Sequence, residues 1–253
     1  MGRVIAVANQ KGGVGKTTTA INLGAGLAQL ERKTLIIDLD PQGNASVGLG
    51  VDRSKIRFSS YHLLLEDEVP EGAVLPTSRR NLSIFPSTIE LVGAEIELVG
   101  MLSREFRLRD ALVSIRDAYD FILLDCPPSL GLLTLNAMAA AQSILVPIQC
   151  EFYALEGVNQ LLNSINLVRR RLNPNLEIEG VLLTMFDGRT TLSQEVERDV
   201  RAVFAGKVYH SVIPRSVRLA EAPSYGRSIL EYDPHSRGAL AYTTLAEEVA
   251  TRA

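Results

Sequence analysis

Short apolar runs alternate with longer amphipathic stretches along nearly the whole chain. The runs at Arg3–Ala8, Thr34–Asp38, Leu82–Pro86, Phe121–Asp125, Ser143–Pro147, Glu179–Met185 and Val208–Ile213 are mostly Val, Ile, Leu and Ala. A half-exposed strand would alternate apolar with polar residues, so near-continuous runs predict strands buried on both faces. Helical periodicity marks Lys16–Leu30, Ile89–Met101, Phe106–Ala118, Ala154–Leu172, Leu192–Ala205 and Ser236–Thr251. Strand following helix in this order predicts an α/β fold, a doubly wound and mostly parallel sheet with right-handed crossovers. Ligand is expected at the carboxyl ends of the strands. No linker, repeat or low-complexity segment divides the chain, so one domain over residues 1–253 is expected. Gly48 to Arg80 breaks the pattern and reads as a surface excursion.

The turn between the first strand and first helix carries the chemistry. Lys11 to Thr18 reads Lys-Gly-Gly-Val-Gly-Lys-Thr-Thr. Gly12, Gly13 and Gly15 let the backbone curl, so that its N–H groups, Val14's included, point at a phosphate chain. The helix that follows adds the positive end of its dipole. Lys16 is placed to reach β- and γ-phosphates, Thr17 to offer its hydroxyl to Mg²⁺, and Thr18 to extend the cradle. The ordinary phosphate loop has a glycine where this chain has Gln10, and a second lysine, Lys11, opens the loop instead.

That form resembles the deviant Walker A motif of the ParA/MinD ATPases, a group that also includes the nitrogenase iron protein. The resemblance makes the expected fold a P-loop NTPase of the deviant Walker A type. In that family the first lysine reaches the partner subunit's nucleotide, which implies an ATP-dependent sandwich homodimer and a catalytic role for Lys11 beside Lys16.

Further segments match the same family. Asp125 closes an apolar strand and is followed by Cys-Pro-Pro, so a carboxylate is placed where a Walker B aspartate holds the Mg²⁺ shell. Its continuation to Gly131 matches switch II. Asp38-Leu-Asp40-Pro-Gln-Gly-Asn44 resembles switch I, which implies that Asp40 orients the attacking water near the metal. Asp38 lies nearer the strand end and is either a metal neighbour or structural. Met185, Pro214 and Arg215 match segments that line the adenine, and Glu151 a position that reaches the ribose or the dimer partner. Arg189 and Arg218 match arginines that touch DNA phosphates. The run Arg169-Arg-Arg171 either extends that patch or stabilises a helix C-terminus.

Composition narrows the choices. The formal net charge is −3, so DNA contact requires a local basic patch. No aromatic platform accompanies the arginines, which disfavours single-strand binding. The two cysteines, Cys126 and Cys150, form no C-x-x-C pair, which argues against zinc, disulfide or cluster frameworks. No signal peptide precedes Val4 and no apolar run is long enough for a bilayer, so a reducing cytoplasm is expected.

The resemblance spans nearly the whole chain and is strongest to the Soj-type branch of chromosome-partitioning ParA proteins. It implies ATP and Mg²⁺ as cofactors, slow intrinsic hydrolysis stimulated by a ParB-type partner, non-specific duplex DNA binding by the dimer, and a nucleoid-associated location. The alternative is a MinD-like ATPase that positions a membrane or protein cargo. Membrane attachment calls for a basic amphipathic ending, whereas this chain ends Leu-Ala-Glu-Glu-Val-Ala-Thr-Arg-Ala. An amidoligase-like enzyme on the same scaffold would explain neither Asp40-Pro-Gln nor Arg189.

Overall fold

Seven predicted strands form within a residue or two of their expected bounds, because each is a mostly apolar run and, apart from the edge strand that ends the sheet, each has a strand on both sides. The structure is a computed structural model and describes residues 2–152 and 156–252. Its strands are β1 (Arg3–Val7), β2 (Thr34–Asp38), β3 (Leu75–Pro76), β4 (Leu82–Phe85), β5 (Phe121–Asp125), β6 (Ser143–Gln149), β7 (Glu177–Phe186) and β8 (Val208–Pro214). Among the described residues they make one eight-stranded sheet in the order β3-β4-β2-β5-β1-β6-β7-β8. Every pairing is parallel except β3 with β4. From β1 the chain builds one side through β2, β3 and β4, returns to insert β5 between β2 and β1, and then builds the other side through β6, β7 and β8, which makes the sheet doubly wound.

The α-helices are α1 (Lys16–Gln29), α2 (Asn44–Gly48), α3 (Ser60–Leu65), α4 (Leu91–Val99), α5 (Arg107–Leu112), α6 (Leu132–Ala140), α7 (Glu156–Arg171), α8 (Thr191–Val203), α9 (Val217–Glu221), α10 (Ile229–Tyr232) and α11 (Arg237–Thr251). They cover both faces of the sheet. One core packs Leu35, Ile37, Ile122 and Leu124 against α3 to α8, and the other packs Ile5, Ile36, Leu123 and Leu182 against α1, α10 and α11. Alternate residues of a single strand therefore serve opposite cores, and each strand reads as continuously apolar.

Three points of the sequence reading need correction. Helix α6 was not visible as periodicity because Leu133, Thr134, Asn136, Ala137, Met138 and Ala139 are all buried, leaving no polar face to set a period. The predicted helix over Phe106–Ala118 stops at Leu112, resuming as a 3₁₀ turn at Arg116–Ala118, since Val113 and Ser114 face solvent and gain nothing from continuing. The excursion after Gly48 is not merely superficial. It folds α3 inward, burying Ser60, Leu63 and Leu64, and the Ser60 amide donates to the Pro86 carbonyl at 2.8 Å. It also supplies β3, too short to show in sequence. The predicted start of α7 at Ala154 lies outside the described residues.

Close approach of α1 to α11 depends on one missing side chain. A Cβ on Gly26 would lie 2.7 Å from the Ala246 Cβ and 3.2 Å from the Tyr242 carbonyl oxygen. Gly26→Val is expected to destabilise by about 1–3 kcal/mol through overpacking, measured by urea unfolding. Gly93→Ala in α4 should do the reverse. A Cβ there meets nothing nearer than 3.7 Å, so helix propensity is expected to add about 0.5–1 kcal/mol. Equal effects at the two glycines would contradict this account of the packing.

Candidate functional site

Strand β1 ends beside β5 and β6, and the loop that follows is pinned from two directions. Asn9 donates its amide to the Pro147 carbonyl at 2.7 Å and accepts from the Lys11 amide at 3.0 Å. Thr184, near the end of β7, donates its hydroxyl to the Val14 carbonyl at 2.9 Å. On either side of Val14, Gly13 and Gly15 adopt φ 75° and 88°. Those left-handed values are the reason for glycine at both positions. Gly15 is the N-cap residue of α1, and its carbonyl accepts from the Thr19 amide. The helix dipole therefore points into the loop.

The loop opens on a cavity of about 660 Å³. Gly12, Gly13, Gly15, Lys16, Thr17, Thr18 and Asp40 all line it, as do Pro128 and Met185. A second, smaller cavity of about 100 Å³ is walled by Thr184, Met185, Ile213, Pro214, Leu219 and Tyr242. Met185, with φ at 51°, and Thr18 border both spaces. Both spaces are lined by more apolar than polar surface. Arg215 lines neither, and its amide donates to the Phe186 carbonyl at 3.1 Å.

Three carboxylates converge on this end of the sheet. Asp38 and Asp125 are register partners at the ends of β2 and β5, and both are fully buried. Asp38 is held entirely by its own segment. One of its oxygens accepts from the Asp40 amide at 3.1 Å, the other from the Ser46 amide and hydroxyl at 2.8 and 2.7 Å. It therefore shapes the β2–α2 turn. Asp40 stands farther out on that turn, at the cavity wall.

Asp125 is different. Neither of its buried oxygens has a hydrogen-bond partner among the described residues. Burial pushes its carboxyl well above the usual range, and the Asp38 charge pushes the same way; Thr17 and Lys16 favour the charged form without offsetting that. Burial likewise pulls the Lys16 ammonium down, opposed by the charges of Asp125 and Asp40. Its Nζ donates to the Lys11 carbonyl at 3.1 Å, so the lysine folds back over the loop. A sealed, unpartnered carboxylate close to a helix-initiating threonine is an oxygen donor set suited to a hard divalent cation. Magnesium fits these residues.

Lys11 does not line the cavity that its neighbours enclose. Its ammonium pairs instead with Glu151, and both side chains are about one-third exposed. Cys126, next to Asp125, is buried with its thiol raised by desolvation, and no group of three metal-ligating side chains occurs among the described residues.

Arg189 and Arg218 follow the ends of adjacent strands β7 and β8 and share one rim. Each is held by local acids. Arg189 makes a two-pronged contact with Asp187 at 2.9 and 2.7 Å, which pulls the Asp187 carboxyl down to about 2. Arg218 pairs with Glu221 at 3.1 Å and lies over the Tyr232 ring. The Arg169–Arg171 run does not extend this rim. Arg169 donates to the Leu176 carbonyl just before β7 begins, so a ten-residue strand of about 30 Å separates it from Arg189. Its role is at the C-terminus of α7.

Sequence reasoning overlooked Asn9 and Arg53. The signal for Asn9 is a polar residue ending an otherwise apolar strand. Arg53 reaches the cavity from beyond α2, holding the Gln42 carbonyl at 2.5 Å, and no local pattern marks it.

No helix among the described residues is long and apolar enough to cross a membrane. A family model described as an AAA domain matches residues 2–178. The sporulation initiation inhibitor protein Soj of Bacillus subtilis is 54% identical over 250 residues, covering 99% of both chains. The chromosome partitioning protein ParA of Myxococcus xanthus is 53% identical over 252 residues, covering 100% of this chain and 89% of that one. A structure described as cobyrinic acid a,c-diamide synthase from Mycobacterium smegmatis, with bound ADP and magnesium, superposes with a TM-score of 0.88 at 40% identity, covering 100% of this chain and 95% of that one. The doubly wound sheet, the two-lysine phosphate loop and these full-length likenesses lead to one conclusion: the chain belongs to the ParA/Soj family of chromosome-partitioning ATPases, within the ParA/MinD group of P-loop proteins.

Proposed function

We propose that this chain is a single-domain, ATP-driven DNA-partitioning switch. Its ATP-bound homodimer holds duplex DNA without sequence preference and releases it after hydrolysis stimulated by a ParB-type protein. The observation that carries the reading is the division between two lysines of one loop. Lys16 lines its own cavity, whereas the Lys11 side chain points outside it toward Glu151. A lysine with no place in its own site is available to a partner's phosphates across a sandwich interface.

The roles follow from position. Amides of Gly12, Gly13, Val14 and Gly15 cradle the phosphates, and Lys16 neutralises charge at the scissile end. Thr17 and Asp125, with Asp40 close by, would hold Mg²⁺, which screens the phosphate charge. Asp40 accepts a hydrogen bond from the attacking water and aligns it for in-line displacement. Met185 and Pro214 sandwich the adenine, Arg215 supports that loop through its backbone, and Glu151 either steers Lys11 or meets the ribose. Pro128 stands at the cavity wall near Gly12, so the segment after Asp125 is positioned to sense the γ-phosphate. Arg189 and Arg218, doubled in a dimer, supply phosphate contacts once they leave Asp187 and Glu221.

Duplex DNA binding measured against salt, with ATP, ADP or no nucleotide, tests the whole reading. Binding is expected only with ATP, falling steeply with salt and lost in Arg189→Glu. No DNA binding in any state while ATP still drives dimerisation would exclude the DNA carrier. Asp40→Ala is expected to lower phosphate release by about a hundredfold or more while the ATP-bound dimer persists in size-exclusion chromatography. Unchanged turnover would remove Asp40 from the chemistry.

Asp125 makes a prediction about pH. The folded chain keeps its carboxyl protonated to higher pH than the unfolded chain does. Stability of the nucleotide-free protein therefore falls as pH rises from about 4 toward the raised folded value. Asp125→Asn removes the buried charge. The variant is expected to melt a few degrees above the native chain at pH 7.5 without nucleotide, and to gain less from ATP with Mg²⁺. A lower melting temperature without nucleotide would contradict this electrostatic account.

A further inference from the structure

Helix α4 is apolar on both sides. Leu91, Ala94 and Leu98 are fully buried against the core. On the opposite side Ile89, Val92, Ile96 and Val99 are 66, 49, 74 and 61% exposed. Val92, Ile96 and Val99, four and three residues apart, align in one stripe of the helix, and Ile89 lies in the turn just before it. A helix that is apolar all round belongs in an interior, yet only half of this one is covered. Helix α8 shows the ordinary arrangement, with Glu195, Arg198 and Asp199 on its outward side.

The stripe has an acidic rim. Residues 86–103 contain Glu90, Glu95 and Glu97 and no lysine or arginine. Tyr61 of α3 donates its hydroxyl to Glu97 at 2.8 Å, and that hydrogen bond, with some desolvation and the nearby glutamate charges, raises its phenol. The neighbouring bases are already paired, Arg104 at the Val99 end of the stripe and Arg107 beyond it. Arg104 holds the Val99 carbonyl and Glu105, and Arg107 holds Asp67 and the carbonyls of Leu64 and Glu66.

We propose that the outward face of α4 is the docking surface for a basic amphipathic helix of another protein. The partner's apolar side covers Val92, Ile96 and Val99, and its lysines or arginines meet the exposed Glu90 and Glu97. Charge selects this occupant. A second copy packed face to face would set glutamates against glutamates, and an anionic bilayer would meet the same repulsion. None of these residues lines the cavity beside the phosphate loop, so the inference stands apart from the nucleotide reading.

The test uses two synthetic helical peptides of about five turns with identical leucine faces, one carrying lysine and the other glutamate on the polar side. Fluorescence anisotropy is expected to show salt-sensitive binding of the lysine peptide and at least about tenfold weaker binding of the glutamate peptide. Val92→Ser with Ile96→Ser should weaken the lysine peptide by about tenfold or more. Glu90→Lys with Glu97→Lys should reverse the preference between peptides. All four changes are at exposed positions, so circular dichroism should show an unaltered fold. The proposal is overturned if the lysine peptide does not bind, or binds the serine variant equally well. It is also overturned if sedimentation shows a dimer that the serine variant abolishes, or if anionic vesicles bind the native chain and not that variant.

Discussion

Everything at the carboxyl end of this sheet depends on a backbone curl of a few residues. Left-handed turns at Gly13 and Gly15 aim successive amides inward, and the curl persists because neighbouring strands hold it. Asn9 ties its entry to β6 through Pro147, and Thr184 ties its middle to β7 through Val14. Without those ties a glycine-rich loop would pay a large entropic cost to stay ordered. With them the N–H groups form a preorganised anion site at the start of α1. The adjacent cavities take their shape from the same anchors, since Thr184 and Met185 belong to the β7 segment that holds the loop.

A second constraint is electrostatic. Parallel pairing of β2 with β5 brings Asp38 and Asp125 side by side in the interior. The two are resolved differently. Asp38 is compensated by Ser46 and the Asp40 amide and becomes a structural pivot for the turn carrying Asp40. Asp125 is left without a hydrogen-bond partner among the described residues. Orphaned buried carboxylates are costly, and persist where binding makes up the cost. Placing one carboxylate in a finished network and its neighbour in none separates a shaping role from a binding one.

Much of this was legible in the amino-acid order because the signals are local. Continuous apolar runs mark doubly covered strands wherever they occur, and Gly-Val-Gly-Lys-Thr-Thr constrains its own backbone. The α6 segment failed the same reading because burial on every side erases periodicity. The 48–80 segment looked like surface because its buried apolar residues, Leu49, Leu63, Leu64 and Ala73 among them, come in short groups separated by charged stretches such as Arg53–Arg57 and Glu66–Glu68. Arg169–Arg171 were ambiguous in sequence since charge at a helix end and charge on a binding rim use the same residues.

The sequence by itself determined the fold class, the phosphate loop and the order of the acidic segments, since propensity, period and turn chemistry operate over a few neighbouring residues. Tertiary structure alone decided which distant groups share a space. It set Asp125 beside Asp38, brought Arg53 to the cavity, paired Lys11 with Glu151, and put the arginine run at the wrong end of β7 to join Arg189. It also left one side of α4 uncovered. Strand register and crossover geometry fix those distances, and neither is a property of any single stretch of chain.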